Sequence, residues 1–109
     1  MERIALSELK FRRSVILDCV ASYQRVNEHW ASFKTKDIRY IECVCSNHEL
    51  HKNRLESRER NIPSWYELSW SDIENILKSY EPCFEEKLSI DSVKPLNENI
   101  EKALEYVSN

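Results

Sequence analysis

Residues 9–33 read LKFRRSVILDCVASYQRVNEHWASF, and this stretch contains the most regular pattern in the 109-residue chain. Two interleaved sets of large side chains recur in it every seven positions: Leu9, Ile16, Tyr23 and Trp30, and then Cys19, Val26 and Phe33, with Arg12 as one polar interruption. Sustained helical periodicity of this length predicts an amphipathic helix, for which Ser7 is a suitable N-cap. The helix would span about 40 Å at 1.5 Å per residue, so we expect it to project, to bend, or to break near Asn27.

The next apolar residues predict a second helix, which begins at Asp37 and ends near Arg60. Its apolar positions have helical spacing: Ile38, Ile41, Val44, Cys45 and Leu55. A strand over 38–45 is the alternative, since Ile, Tyr and Val favour strands. No hairpin turn follows that segment, and we therefore prefer the helix.

A proline and two capping boxes mark the next elements. Pro63 ends the second helical segment, because the residue before a proline avoids the α region. Ser64–Glu67 and Ser71–Glu74 are two capping boxes of the form S-x-x-E. They predict a short turn at 64–69 and a helix from Ser71 to Tyr80.

Residues 83–95 have no clear helical period, and they allow one short strand or an extended lid near 84–93. Pro95 then suits the start of a last helix whose apolar face continues to Val107. We therefore predict a mainly α fold, a small single-domain helical bundle of four to five helices over residues 1–109. No secretory signal is present at the N-terminus and no apolar run approaches the length of a membrane span. We expect a cytoplasmic protein.

The chain has no glycine, and this excludes several classes of catalytic and cofactor site. The phosphate-cradling loops of P-loop and dinucleotide-binding proteins need glycine for positive φ and for close approach of the backbone to the phosphate. The nucleophile elbow of serine hydrolases needs glycine as well. We therefore expect no cofactor, no catalytic residue and no enzymatic activity.

One segment combines several potential metal ligands. Cys43, Cys45, His48 and His51 fall within nine residues, but structural zinc sites usually combine a C-x₂₋₄-C pair with a distant second pair. In a helix, Cys43 and Cys45 would point to nearly opposite sides. Cys45 and His48 would lie one turn apart, which is the minimum for a thiol nucleophile with a histidine base. We predict buried thiols and solvated histidines, with metal binding by the four residues as the open alternative.

Charge is unevenly distributed along the chain, whose net charge is −3. Residues 1–60 have 12 Lys and Arg against 9 Asp and Glu, whereas residues 61–109 have 4 against 10. An acidic surface favours association with a basic partner. The basic stretch at 52–60 alternates with glutamates, which is typical of an exposed helix rather than of a nucleic-acid-binding stripe. Its basic residues are Lys52, Arg54, Arg58 and Arg60.

Three large aromatic residues follow Pro63 in polar and acidic surroundings. Trp and Tyr are enriched among the interface residues that dominate binding energy, so the segment has the composition of an interface with apolar anchors and a polar rim. The predicted partner-binding residues are Trp65, Tyr66, Glu67, Trp70, Asp72 and Glu74. The alternative is that Trp65 and Trp70 close the end of a helical core.

These features predict a small, non-enzymatic binding protein that inhibits or modulates a protein partner by covering its surface. Immunity proteins, antitoxins and phage-encoded inhibitors act in this way, and the partner would present a basic groove, as nucleases do. A zinc-stabilised adaptor or nucleic-acid-binding module built on Cys43, Cys45, His48 and His51 is one alternative. A helix-pairing structural protein that dimerises through the 9–33 stripe is another.

Overall fold

The computed structural model describes residues 1–20, 24, 28, 33, 37–82 and 86–109. Its described elements are, in chain order, α1 (Glu2–Lys10), β1 (Tyr40–Val44), α2 (His48–Glu56), α3 (Trp70–Ser79), β2 (Lys87–Asp91) and α4 (Leu96–Ser108). They form a mixed α/β structure, because β1 and β2 pair as a two-stranded parallel sheet. The prediction of a mainly α helical bundle of four to five helices is therefore wrong.

The chain divides into two compact units. The N-terminal unit consists of Met1–Ile38 with Glu81–Phe84, and the sheet unit consists of Arg39–Tyr80 with Glu85–Asn109. The N-terminal unit contains α1, and the sheet unit contains both strands with α2, α3 and α4. A single domain over 1–109 stays a prediction.

In the N-terminal unit, α1 ends where the sequence predicts that a long helix continues. Arg12 has a φ of 58°, and its N–H donates to the Leu9 carbonyl. The N–H of Arg13 donates to the Glu8 carbonyl, and the Arg13 guanidinium pairs with the Glu8 carboxylate at 2.9 Å. These bonds form a Schellman-type ending, in which an arginine occupies the left-handed position that usually contains glycine.

The predicted helix over 9–33 is therefore wrong in its N-terminal part. Residues 13–18 are not helical, and Ile16 is 94% exposed. Ser7 lies inside α1 and is not its N-cap. Of the two apolar sets, Tyr23, Val26 and Trp30 lie outside the described residues. Ala5 and Phe33 are the buried apolar side chains of the described part of the chain.

In the sheet unit, the predicted helix over 37–60 is wrong in its first half, where the chain forms β1. This strand runs parallel to β2, with Ile41 opposite Leu88. The missing hairpin turn favours a helix in the sequence, but parallel strands are joined by a crossover and need no hairpin. The second strand lies within the segment near 84–93 for which a short strand is one of the sequence alternatives.

The crossover from β1 to β2 contains α2 and α3, which contact each other. The side chain of Asn47 caps α2 by accepting a hydrogen bond from the Leu50 N–H at 3.0 Å. A capping box starts α3, in which the Ser69 N–H donates to the Asp72 carboxylate at 2.8 Å. In return, the Asp72 N–H donates to the Ser69 hydroxyl at 3.2 Å. Both helices in the crossover therefore begin at a side-chain cap.

The sequence assigns the cap of α3 to the wrong serine. Ser71 lies inside α3, and Ser64 lies in the preceding turn with a φ of 62°. The box that forms has aspartate at its fourth position, whereas the usual pattern requires Glu or Gln there. The helix nevertheless agrees within one residue at each end with the predicted helix from Ser71 to Tyr80.

Asp91 joins the carboxyl ends of the two strands. Its carboxylate accepts hydrogen bonds from the N–H groups of Ser46 at 3.2 Å and Val93 at 3.1 Å. The Ser46 side chain, and after it the N–H groups of Val93 and Ser46, lower the pKa of Asp91. The Asn99 amide of α4 donates to the Asp91 carbonyl at 2.9 Å, and Asn99 is only 8% exposed. Asp91 therefore links the ends of both strands to α4.

Helix α4 packs on β2. The last predicted helix, from Pro95 to Val107, is confirmed, and Pro95 is its N-cap. Ala103 and Tyr106 are half-buried, whereas four larger apolar side chains are exposed: Leu96, Ile100, Leu104 and Val107. Neighbouring strands are only about 5 Å apart and a helix is about 10 Å wide. A sheet of two strands therefore covers only part of the apolar face of α4.

Candidate functional site

Residues 60–67, called the aromatic loop below, lie between α2 and α3. Glu67 closes this loop against Arg60. One Glu67 oxygen accepts from the Arg60 backbone N–H at 3.0 Å, and the other accepts from the Arg60 Nε–H at 3.1 Å. The backbone bond first, and then the guanidinium, lower the pKa of Glu67. The Glu67 carboxylate therefore stays ionised to a lower pH than an ordinary glutamate, and the clasp fixes both ends of the loop.

A β-turn without glycine brings Trp65 to the surface. The Trp65 N–H donates to the Ile62 carbonyl at 3.1 Å, and between them lie Pro63 and Ser64, with a φ of 62° at Ser64. Proline at the second position and positive φ at the third are typical of a type II turn. Asn61 also has a positive φ, of 50°. A residue with a Cβ costs about 1 kcal/mol or more in this region, so the loop depends on its clasp.

Trp65 and Tyr66 form a stacked pair that faces solvent. Their ring centroids are 6.3 Å apart and their planes differ by 8°. Trp65 is 61% exposed and Tyr66 is 72% exposed, so Trp65 does not close the end of a core. Aromatic side chains gain more than most from burial, and this pair is available to bury itself against a partner.

A recess of about 480 Å³ lies beside the stacked pair. Its lining residues are Glu59, Asn61, Ile62, Trp65 and Glu67. The lining combines an indole and an isoleucine with two carboxylates. Glu67 is engaged by the clasp, whereas Glu59 has no hydrogen bond or ion pair with any described residue. The recess therefore combines apolar surface with one free negative charge.

Trp70, five residues after Trp65, has a different environment. Its ring makes T-shaped contacts with two histidines of α2, with centroid distances of 6.4 Å to His48 and 5.1 Å to His51. Its indole N–H donates to the Glu74 carboxylate at 3.1 Å, and the residue is half-buried. Trp70 therefore holds α3 against α2, and the structure does not bring it to the exposed aromatic surface.

The three acidic residues of the predicted binding surface all have local partners. Glu67 forms the clasp, Asp72 forms the capping box with Ser69, and Glu74 accepts from the indole of Trp70. The Ser69 N–H, and after it the Ser69 hydroxyl, lower the pKa of Asp72. All three carboxylates lie in the sheet unit, in the aromatic loop or in α3, and each fixes a neighbouring group. Partner binding by the six predicted residues stays a prediction.

The four potential metal ligands separate into two groups. Cys43 is exposed on β1, and Cys45 follows the strand, where its thiol donates to the Asn47 carbonyl at 3.5 Å. His48 and His51 lie in α2 against the Trp70 ring. Cys45 is outside the helix, so the one-turn spacing of Cys45 and His48 does not apply. In the part of the chain that the structure describes, no three His, Cys, Asp or Glu side chains cluster as metal ligands.

The basic stretch at 52–60 does not form one open stripe. Lys52 pairs with Glu56 at 4.0 Å, and Arg60 belongs to the clasp. Arg54 donates to the carbonyl and the hydroxyl of Ser92, at 3.3 Å and 3.1 Å from Nη1. These basic side chains therefore stabilise the sheet unit instead of presenting a shared cationic face.

Sequence reasoning missed the residues that shape the loop. Asn61 and Ser64 adopt positive φ, and Glu59 and Ile62 line the recess. One signal was available: Pro63 favours the second position of a turn, and asparagine tolerates the left-handed region better than most residues. The position of Glu59 beside Trp65 depends on the fold and has no counterpart in the sequence pattern.

No known protein family, curated protein sequence or solved structure matches this chain. In the described residues, no helix has the length and apolarity needed to cross a lipid bilayer. The function is therefore argued from the chemistry of the site alone.

Proposed function

We propose that this chain is a non-enzymatic, cytoplasmic binding protein that inhibits or modulates a protein partner by covering its surface. The docking surface is the aromatic loop with its stacked Trp65–Tyr66 pair. We assign the chain no catalytic residue, no cofactor and no metal. Its mode of action is that of an immunity protein, an antitoxin or a phage-encoded inhibitor.

One observation supports this proposal above the others. Two large aromatic rings face solvent side by side, on a loop whose ends are fixed by the Glu67–Arg60 clasp. Trp and Tyr are enriched among the residues that dominate interface energy. A loop that is already ordered loses little conformational entropy on binding, so more of the contact energy contributes to affinity.

The distribution of charge supports a basic partner surface. Residues 61–109 have 4 Lys and Arg against 10 Asp and Glu, and Glu59, which pairs with no residue that the structure describes, adds a carboxylate beside Trp65. Opposite charges would accelerate association and set the orientation of the two proteins. Asp72 and Glu74 also have structural roles, since Asp72 caps α3 and Glu74 accepts a hydrogen bond from Trp70.

Affinity capture with three versions of the chain tests this proposal. The native chain, the double variant Trp65→Ala/Tyr66→Ala and the control Ile76→Ala/Leu77→Ala are used as bait in lysate of the cell that encodes the chain. Ile76 and Leu77 are a matched control because they are also exposed apolar neighbours, 46% and 45% exposed, on the surface of α3. Captured proteins are identified by mass spectrometry, and the interaction is then reconstituted with purified components.

We expect one protein to be captured by the native chain and by the control and to be lost with the Trp65/Tyr66 variant. The purified protein should lose its own activity when the native chain binds it. Equal capture by all three baits would contradict docking through the aromatic loop. Retained activity of the captured protein in the complex would contradict inhibition.

A further inference from the structure

We propose that the recess beside Trp65 holds an arginine side chain of the partner, stacked on the indole and paired with Glu59. This inference rests on the proposed function, because it specifies the chemistry of the partner at the same docking surface. It gives the partner a defined feature: an exposed arginine that projects from the surface covered by the aromatic loop.

The lining of the recess suits one long side chain. Trp65 and Ile62 supply apolar surface for the aliphatic stem of an arginine, and Glu59 and Glu67 add carboxylates. A cation within about 6 Å of an aromatic centroid is attracted by the negative face of the ring. The chain contains such a contact already, because the Arg13 guanidinium lies 5.7 Å from the centroid of Phe11.

The charges around the recess favour a single cation. Glu67 is held by Arg60 through both carboxylate oxygens, so it contributes little to a ligand. No described residue pairs with Glu59, and its carboxylate can accept two parallel hydrogen bonds from a guanidinium. Arg58 and Arg60 lie close enough to act on Glu67, and their positive charge opposes a densely basic ligand. One arginine side chain therefore fits better than a run of cations.

Arginine fits this recess better than lysine for a chemical reason. Its planar guanidinium is weakly hydrated, stacks on an indole and matches a carboxylate with two donors. A lysine ammonium is a compact and strongly hydrated charge, so it would lose more hydration on entering the recess. The recess should therefore discriminate between two side chains of equal charge.

Titration with three short peptides tests the inference without the partner. The probes are the acetylated and amidated peptides Ala-Ala-X-Ala-Ala, in which X is arginine, lysine or citrulline, the uncharged isostere of arginine. Binding to the full chain is followed by the NMR signal of the Trp65 indole N–H, assigned with the variant Trp65→Phe. We expect saturable binding of the arginine peptide in the millimolar range, with the citrulline peptide about tenfold weaker and the lysine peptide between them.

Two variants locate the site of binding. Glu59→Gln should weaken the arginine peptide about fivefold and leave the citrulline peptide unchanged, because it removes a single exposed ion pair. Glu105→Gln, an exposed carboxylate on α4, is the matched control and should change neither. Equal binding of the arginine and citrulline peptides, no response of the Trp65 signal, or full binding by Glu59→Gln would overturn the inference.

The peptide titration and the capture experiment can fail separately. If capture depends on the Trp65–Tyr66 pair but the arginine peptide does not bind, the docking surface stands and the arginine site is wrong. If the peptide binds as expected but capture is independent of the pair, the recess binds arginine and the proposed docking surface is wrong.

Discussion

The aromatic loop and the contact between α2 and α3 use the same residue type in opposite ways. Trp65 is 61% exposed beside Tyr66, whereas Trp70 makes T-shaped contacts with His48 and His51 and donates its indole N–H to Glu74. Both tryptophans follow Pro63 within seven residues, in equally polar sequence. Neighbours from α2 therefore decide which tryptophan packs within the fold and which stays exposed.

The two regions differ in how far their aromatic side chains are used by contacts within the chain. At the α2–α3 contact, the Trp70 indole N–H has a partner within the chain, and the ring contacts His48 and His51. In the aromatic loop, polar bonds fix the backbone at 60 and 67 and leave the rings outside. Order without burial is the property expected of a preorganised binding surface.

The largest expected effect comes from a substitution that breaks the contact between α2 and α3. Trp70→Ala removes the ring between the two helices and should lower the free energy of unfolding by about 2–3 kcal/mol, slightly below the range for fully buried tryptophans. Trp65→Ala, the matched control, should change it by less than about 0.5 kcal/mol, because the side chain is mostly solvated. Urea unfolding followed by circular dichroism measures both values. Equal losses for the two variants would contradict the distinction.

A smaller effect concerns the start of α3. Ser69→Ala removes the N-cap side chain and should destabilise the sheet unit by about 1 kcal/mol. Ser71→Ala, which alters the serine that the sequence pattern favours, should stay within about 0.5 kcal/mol of the native chain. The same unfolding measurement distinguishes them, and a larger loss for Ser71→Ala would place the cap where the sequence predicts it.

Glycine at the strained turn should have a smaller, stabilising effect. Ser64→Gly removes the cost of a positive φ at a residue with a Cβ, but it also increases the entropy of the unfolded chain. The net result should be a free energy of unfolding that is about 0.5 kcal/mol higher. The control Ser71→Gly lies in a helix and should destabilise by about the same amount. Thermal unfolding gives both signs, and destabilisation by Ser64→Gly would show that the turn does not require a left-handed residue.

The smallest expected effect is a change in stability that occurs only at acidic pH. The pKa values of Glu67 and Asp72 are lowered from ordinary values of 4.5 and 3.8, so the unfolded chain takes up these protons first as the pH falls. Their contribution to stability is complete above 4.5 and 3.8 and is lost as the pH falls through the folded pKa values. Glu67→Gln should flatten the upper part of the acid transition and Asp72→Asn the lower part, in unfolding curves measured at a series of pH values.

The elements that the sequence predicts well depend on local signals. Proline and the apolar spacing are enough to place α4, and nearby serines place α3 within one residue. β1 is missed because its partner strand is more than 40 residues away in the sequence, and parallel pairing leaves no local turn signal. The long helix over 9–33 fails at Arg12, where a left-handed arginine ends α1 in place of glycine.

The candidate site is also predicted only in part by the sequence. The sequence identifies an aromatic and acidic segment after Pro63, and its composition is enough to suggest a binding surface. It cannot separate Trp65 from Trp70, because the contacts of Trp70 with His48 and His51 form only when α3 meets α2. Tertiary neighbours, and not residue type, assign these two roles.

Calorimetric titration of the captured and purified partner measures directly whether the aromatic loop is the docking surface. The variant Trp65→Ala/Tyr66→Ala should bind at least about 30-fold more weakly than the native chain, the factor expected for the loss of one dominant interface residue. The variant should keep the circular dichroism spectrum and unfolding midpoint of the native chain. An unchanged dissociation constant for the folded variant would show that the partner binds elsewhere.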